Sequence, residues 1–409
     1  MKPCLVGVLL VLAGALGLAW TPVAVMAAPG SDGPEVAFLR TFFQDGIKDH
    51  AGAFQEAFLK AVPPAKIDEI RQMYLDKLGR FRETTGAAGS YDLLFAKGKA
   101  PCKLHLDAAG KVDGLWLGQW TFFDDQPDTL LAEFKKLPGK VSVALTRDGG
   151  EPVFELAPAE PLGVGSAFKL YVLKALEERI AAGKARPGQT IPLDGAKKSL
   201  PSGILQEWPD GTPLTLSTLA NLMISISDNT ATDLLMDFLG REAVEALAPA
   251  GSLPFLTTME MFRIKYGDPA RAETFAKADP AGRRQILDGI ATEPVRIAAV
   301  RTSPFLVDSV EWFIPTRDLC RVIFDLQHSP ALGINPGLVQ KDAWFKVCFK
   351  GGSEPGVLNY TMLLRKAPAS ATFCLSATVN DPAKAVETDR FNELVLRLVG
   401  LIEQGAFDR

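Results

Sequence analysis

The chain has 409 residues, 47% of them hydrophobic and 22% charged, and a formal net charge of -4. Such a composition is globular and long enough for two or more cores, so two domains are expected. The weak negative charge, with no run rich in Lys or Arg, gives a phosphate backbone nothing to follow and argues against nucleic acid as a partner.

Met1-Lys2 is followed by an apolar run over 5–20, then by Pro22 and the small-residue stretch Val25-Met26-Ala27-Ala28. A basic start, a short apolar core and a small-residue site make a secretory signal peptide over 1–28, cut after Ala27 or Ala28. A retained membrane anchor is the alternative reading, although the run is short for a span. Cleavage places the mature protein in the periplasm or outside the cell and removes Cys4. Cys102, Cys320, Cys348 and Cys374 then remain, with three pairings that the sequence does not rank. Export permits disulfides without requiring one. No Cys/His cluster has metal-ligand spacing, and His50, His105 and His328 are scattered, so neither a metal nor another cofactor is expected.

From 34 to 81 apolar residues recur at helical spacing: Phe38, Phe42 and Phe43, then Phe54 and Phe58, then Ile67, Ile70, Tyr74 and Leu78. Pro63-Pro64 separates the second helix from the third. After Gly86 and Gly89 the pattern alternates over 91–95, 102–106 and 112–117, as strands do. Helices followed by an antiparallel sheet predict a small α+β domain over 34–120. Its element order is similar to that of nuclear-transport-factor or cystatin-like folds. A spacer or dimerisation module, giving a homo-oligomer, is the plainer role, and a ligand pocket the other.

Residues 121–128 read as a linker into a second domain over 129–409, whose fold class is an antiparallel sheet packed with helices. A helix over 129–136 comes first, then a hairpin from 141–146 and 153–156 around Gly149-Gly150. A helix is expected from Ser166 to about 182, stopped by Gly183, and its first turns carry Phe168, Leu170, Tyr171, Val172 and Leu173, apolar nearly all round, which predicts a buried central helix. An amphipathic helix over 215–226 runs into Ser227-Asp228-Asn229, and another follows over 230–239. Signals over 248–309 are mixed. A helix over 315–326, strands over 344–350, 357–364 and 372–379, and a last helix carrying Phe391, Leu394, Val395, Leu398 and Ile402 complete the chain, its end packed on the sheet.

Three short motifs carry chemistry. In Ser166-Ala167-Phe168-Lys169 the serine and lysine are three apart on a helix, so the amine sits one turn from the hydroxyl. A serine hydroxyl near neutral pH needs a base, and a lysine in an apolar setting loses its proton readily enough to serve. Ser166 in a first helical turn also directs N–H groups at developing negative charge. Ser227-Asp228-Asn229 exposes a hydroxyl and an amide together, suited to relaying a proton and holding a substrate amide. Lys350-Gly351-Gly352-Ser353 ends a strand with a cation and no bulk, where a substrate carboxylate can approach. No Gly-x-Ser-x-Gly elbow is present, and His328 is the one histidine of the second domain, which argues against a Ser-His-Asp hydrolase.

The segment over 162–239 resembles the serine β-lactamase and penicillin-binding superfamily, and class A β-lactamases most, through Ser166-Ala167-Phe168-Lys169-Leu170 and Ile224-Ser225-Ile226-Ser227-Asp228-Asn229-Thr230-Ala231-Thr232. The 61 positions from Ser166 to Ser227 are close to that family's interval, and the likeness covers 129–409. The resemblance implies Ser166 as acylated nucleophile, Lys169 as its base, Ser227 as proton relay, Asn229 as a substrate-amide contact and Lys350 as carboxylate anchor, with Gly352 and Ser353 lining the site. It places the amides of Ser166 and Ser353 in an oxyanion hole. The implied activity is hydrolysis of a small-molecule β-lactam, ester or peptide amide through an acyl-enzyme. A D-Ala-D-Ala carboxypeptidase-like enzyme and a slow or inactive ligand-binding relative are the alternatives. The layout, with a small domain ahead of such a hydrolase, is also similar to accessory proteins encoded with clavulanic acid biosynthesis.

Two departures stand out. Gly351 occupies a position where the family carries Thr or Ser. No Glu-x-x-Leu-Asn element lies between Ser227 and Lys350, which leaves Glu260, Glu293 and Glu311 as candidates for activating the deacylating water, each read first as a surface carboxylate.

Overall fold

The computed structural model describes residues 33–295 and 300–408, so the leader expected over 1–28 lies outside the described residues. The chain divides into two compact units, one comprising the described residues through 130 together with 392–404, the other 131–391 and the residues from 405.

In the first unit, helices α1 (Pro34–Gln44), α2 (His50–Ala53), α3 (Glu56–Ala61) and α4 (Pro64–Leu78) precede an antiparallel meander of β1 (Phe81–Ala87), β2 (Ser90–Phe95), β3 (Gly98–Leu106) and β4 (Val112–Leu117). The helical period of the aromatics is realised as a ring cluster. Phe43 lies 4.8 Å from Phe42, 5.4 Å from Phe81 and 5.2 Å from Phe95. The segment expected as a linker is built into this unit. Its strand β5 (Thr121–Phe122) pairs with Gly98 and Lys99 of β3, and Gly98 is required there because a Cβ would lie 2.1 Å from the Thr121 carbonyl oxygen. Asp125, 4% exposed, accepts hydrogen bonds from Arg397. His50 and His105 each pair with an aspartate, Asp68 and Asp113.

The chain passes to the second unit within α5 (Pro127–Phe134). Strands β6 (Lys140–Arg147) and β7 (Glu151–Leu156) form the expected hairpin, and the sheet order is β12 (Lys346–Glu354), β13 (Val357–Arg365), β14 (Thr372–Asn380), β6, β7, antiparallel throughout. Between the hairpin and β12 come β8 (Leu162–Gly163), α6 (Lys169–Ala181), the short pair β9 (Thr190–Pro192) and β10 (Pro213–Thr215), α7 (Leu216–Ser225), α8 (Asn229–Leu239) and α9 (Arg241–Glu245). The expected antiparallel sheet packed with helices is therefore present.

The first turns of helix α6 bury Leu170, Tyr171, Val172, Leu173, Ala175 and Leu176, nearly the whole circumference there, as their composition predicts. The unreadable stretch holds three helices, α10 (Thr258–Tyr266), α11 (Pro269–Lys277) and α12 (Pro280–Gly289), followed by β11 (Phe313–Ile314), which pairs with β8. Helix α13 (Thr316–Asp325) packs on the sheet through Leu319, Cys320, Val322 and Ile323. In α14 (Thr388–Glu403), Phe391 stacks on Tyr360 of the sheet at 5.9 Å, as expected for the chain end, while residues 392–404 count with the first unit. Cys102, Cys320, Cys348 and Cys374 are all buried free thiols. Among the described residues no helix is long and apolar enough to cross a membrane.

Candidate active site

Ser166 is placed by a turn that leaves little freedom. The β8–β11 pairing delivers the chain to Val164, and a single 3-10 turn over Gly165–Phe168 leads into α6. Phe168 stacks on Trp312 with ring centroids 3.7 Å apart and planes 11° from parallel, which anchors the turn in the core. Ser166 is left half-buried, while Lys169, one turn on, is 0% exposed.

The second motif closes over that lysine. After α7 ends, Ser227 adopts a left-handed backbone with φ 58°, a conformation costing a non-glycine residue about 1–3 kcal/mol and concentrated at functional sites. Asp228 holds this turn in place. Its carboxylate caps α8 by accepting from Ala231 N–H at 2.8 Å and also accepts from Ile204 N–H at 2.7 Å and Leu205 N–H at 3.0 Å. The third motif lies on β12, where Lys350 is 3% exposed.

The three motifs meet at one oxygen. Lys169 Nζ donates to the Ser227 carbonyl at 2.7 Å, to Ser227 Oγ at 3.1 Å and to Asn229 Oδ1 at 2.6 Å. From the other side Lys350 Nζ lies 3.1 Å from the same Ser227 Oγ. Asn229 Nδ2 donates to the Leu200 carbonyl at 2.9 Å and keeps a second proton for another acceptor. The bonds of Lys169 thus run to the second motif, and its relation to Ser166 is the one-turn spacing along the helix.

Two glycines bring β12 against the Ser166 turn. A Cβ on Gly352 would lie 2.1 Å from the Val164 carbonyl oxygen and 2.5 Å from Ser166 N, and one on Gly165 would lie 2.9 Å from Ser353 N. The amides of Ser166 and Ser353 therefore border one corner that only glycine backbones can form. Gly351 has a different reason. A Cβ there would meet the Phe349 ring at 3.0 Å and the Asn359 carbonyl at 3.1 Å, so the hydroxyl-bearing side chain that the resemblance leads one to expect fits only if these neighbours give by a few tenths of an ångström.

Burial sets the electrostatics. It pushes the Lys350 ammonium down to about 7. Burial, and then the neighbouring Lys350 charge, hold Lys169 well below the ordinary lysine value, against the weaker opposing pull of Asp233 and Asp228. Two ammonium groups on one hydroxyl in a desolvated site favour loss of one proton. The arrangement can therefore supply a neutral amine beside a serine, a hydroxyl able to pass a proton between two amines, and a buried cation.

Each candidate carboxylate already has hydrogen-bond partners. Glu260 accepts from both terminal nitrogens of Arg241, at 3.0 and 2.6 Å, and Glu293 from both of Arg271, at 2.8 and 2.6 Å. Glu311 is no surface residue. It is 6% exposed and accepts from Gly165 N–H at 3.3 Å, next to Ser166. The apolar neighbours Val310 and Trp312 were the available sequence signal for its burial. Asp228, named only as part of its motif, is the other residue whose structural weight was missed.

A family model described as the β-lactamase enzyme family matches residues 125–281, which contain Ser166, Lys169 and Ser227-Asp228-Asn229 and end before Lys350. No curated protein matches the chain. Among solved structures, the chain is similar to a β-lactamase from Sphaerobacter thermophilus at 19% identity and TM-score 0.47, over 68% of this chain and 97% of that one. An ancestral class A β-lactamase gives 19% identity and TM-score 0.47 over 69% and 100%, and a protein titled PBP-A gives 15% and 0.43 over 68% and 96%.

Proposed function

We propose that this chain is an exported serine hydrolase of the β-lactamase-like class, which forms an acyl-enzyme on Ser166 with a β-lactam, ester or peptide amide. The observation that carries the reading is the convergence on Ser227 Oγ of Lys169 and Lys350, each at 3.1 Å. In this reading Lys169 sheds a proton in its buried setting and gives up its donation to Ser227 Oγ, keeping those to the Ser227 carbonyl and Asn229 Oδ1, and the freed lone pair takes the Ser166 proton as the hydroxyl attacks the substrate carbonyl. The amides of Ser166 and Ser353 hold the oxyanion. Ser227 passes the proton to the leaving nitrogen or oxygen, Asn229 contacts the substrate amide with its remaining N–H, and Lys350 anchors a carboxylate. The family match over 125–281 supports the same assignment.

A second reading keeps acylation but slows its reversal. It is favoured by Glu260 and Glu293, both locked in two-pronged pairs with arginines. In this form the protein resembles a penicillin-binding enzyme or a ligand-binding relative. The first unit, helices on an antiparallel meander, fits an accessory spacer or dimerisation module in either case. Hydrolysis of a chromogenic cephalosporin and of simple esters, measured beside Ser166→Ala, separates the readings. Turnover lost in the variant supports the hydrolase, and an adduct without turnover the second form.

A further inference from the structure

Away from the lysines and the Ser227 hydroxyl, the second unit buries a second group of charges. Lys265, at the end of α10 and 2% exposed, donates to Glu311 Oε1 at 3.4 Å and to Glu354 Oε1. Side chains of Lys265 and Glu311 are each 1% exposed in this pair. Burying one cation with two carboxyl groups is costly unless every charge and polar atom is bonded. The residual lone pairs of Glu311 are accordingly filled. Its Oε2 accepts from Gly165 N–H at 3.3 Å and from Trp312 N–H at 3.0 Å.

The identity of those partners gives the cluster its meaning. Gly165 directly precedes Ser166 and has a left-handed backbone with φ 50°. Glu354 directly follows Ser353, whose amide faces Gly165, and Trp312 carries the ring on which Phe168 stacks. The fit of Glu311 beneath the turn is close enough that a Cβ on Gly163 would lie 2.8 Å from Glu311 Cγ. One carboxylate therefore ties the nucleophile turn to the segment behind it and, through Lys265, to the strand end that supplies the second amide. A surface ion pair does not need two buried backbone donors and three chain segments.

We propose that Glu311 is a positioning residue for acyl transfer, fixing the Gly165 amide and with it the orientation of Ser166, while Lys265 and Glu354 hold it in place. The proposal rests on the reading of Ser166 as nucleophile. Glu311 accepts from the backbone on the Gly165 side of the serine, and so acts through the turn rather than on the substrate. A misplacement of about 1 Å at a reacting group costs on the order of 100-fold in rate.

The test uses the full chain with Glu311→Gln, which is isosteric and keeps one acceptor, and Glu311→Ala, which keeps none. Two quantities are compared with wild type: the saturating rate of Ser166 acylation by a fluorescent penicillin and by an activated ester, and hydrogen exchange of the backbone over 162–169 without ligand. Expected are a roughly 10-fold slower acylation in the glutamine variant and about 100-fold in the alanine variant. Half-saturation should be little changed, and exchange should be faster in the same order. Should the alanine variant fail to fold, the glutamine variant decides. Wild-type acylation with wild-type exchange in Glu311→Gln overturns the proposal while leaving Ser166 as nucleophile. A wild-type protein that takes no acyl group overturns the nucleophile reading itself. Faster exchange in the variants would then make Glu311 structural only, which also refutes the proposal.

Discussion

Lys169 and Lys350 share one acceptor, the Ser227 hydroxyl, with each amine nitrogen 3.1 Å from its oxygen. They come from opposite parts of the second unit, α6 and β12, and both are buried. Two like charges this close, in a site with little water, are unfavourable together, and the Lys350 charge is one of the causes that hold Lys169 down.

Removal of Lys350 should raise the proton affinity of Lys169, because the Lys350 charge is one of the causes that hold it down. With a neutral ester as acyl donor, the acid limb of the acylation-rate profile is expected to move to higher pH in Lys350→Met. Using an uncharged donor removes the anchoring role of Lys350 from the comparison. An acid limb that stays in place, or moves to lower pH, would show that the two amines are not coupled.

Substrate charge should be linked to a proton. Lys350 is pushed down to about 7, so at pH 8 most of it is neutral in the free protein. A substrate carboxylate beside it favours the ammonium form, and binding should take up close to one proton. Titration calorimetry of a penicillin binding to Ser166→Ala, repeated in buffers of different ionisation enthalpy, measures this uptake directly. KM for the same penicillin should rise as pH increases above 7, while that for a neutral ester should not.

The Lys265 cluster should leave a signature in stability. Burial, and then the charge of Glu311, push the Glu354 carboxyl up to about 8 from an ordinary 4.5, outweighing the bonded Lys265. Because the folded state then holds a proton that the unfolded chain releases, this contribution is fully present below about 4.5 and is lost as pH rises through about 8. Glu354→Gln should flatten the decline in unfolding free energy over that window. An unaltered pH dependence in the variant would mean that Glu354 is ionised throughout.

Neighbouring glycines of β12 should respond differently to an added methyl. Gly352→Ala drives a Cβ to 2.1 Å from the Val164 carbonyl oxygen, so the nucleophile turn must shift. A loss of about 1–3 kcal/mol in stability and near-complete loss of acylation are expected. Gly351→Ser meets its nearest atoms at 3.0 and 3.1 Å and should cost less, lowering Tm by a few degrees without creating a faster enzyme. Equal effects of the two substitutions, measured by thermal unfolding and acylation rate, would contradict this geometry.

The legible part of the site is its local part. Ser166 and Lys169 lie three apart on a strongly apolar helix, and Ser227-Asp228-Asn229 interrupts a clear amphipathic pattern, so their elements could be placed from periodicity alone. Glu311 could not. Its partners Lys265 and Gly165 are 46 and 146 positions away, and ion pairing that makes burial tolerable has no periodic signature. Helices α11 and α12 were missed for another reason. Each is weakly apolar, and the readable sign is an aspartate cap followed by proline, Asp268-Pro269 and Asp279-Pro280, rather than a stripe. The change of unit after 130 lies just past the segment 121–128, where Asp and Pro mark a loop, while the tie of that segment to the first unit runs through Asp125, whose partner Arg397 is 272 positions on.

The most direct measurement is peptide-mapped mass spectrometry of the full chain after incubation with a penicillin and with an activated ester, taken over time beside Ser166→Ala. An added acyl mass on the peptide containing Ser166, absent from the variant, is the expected result. Unmodified Ser166 with both donors, or acylation at another residue that persists in Ser166→Ala, would contradict the assignment of Ser166 as the nucleophile.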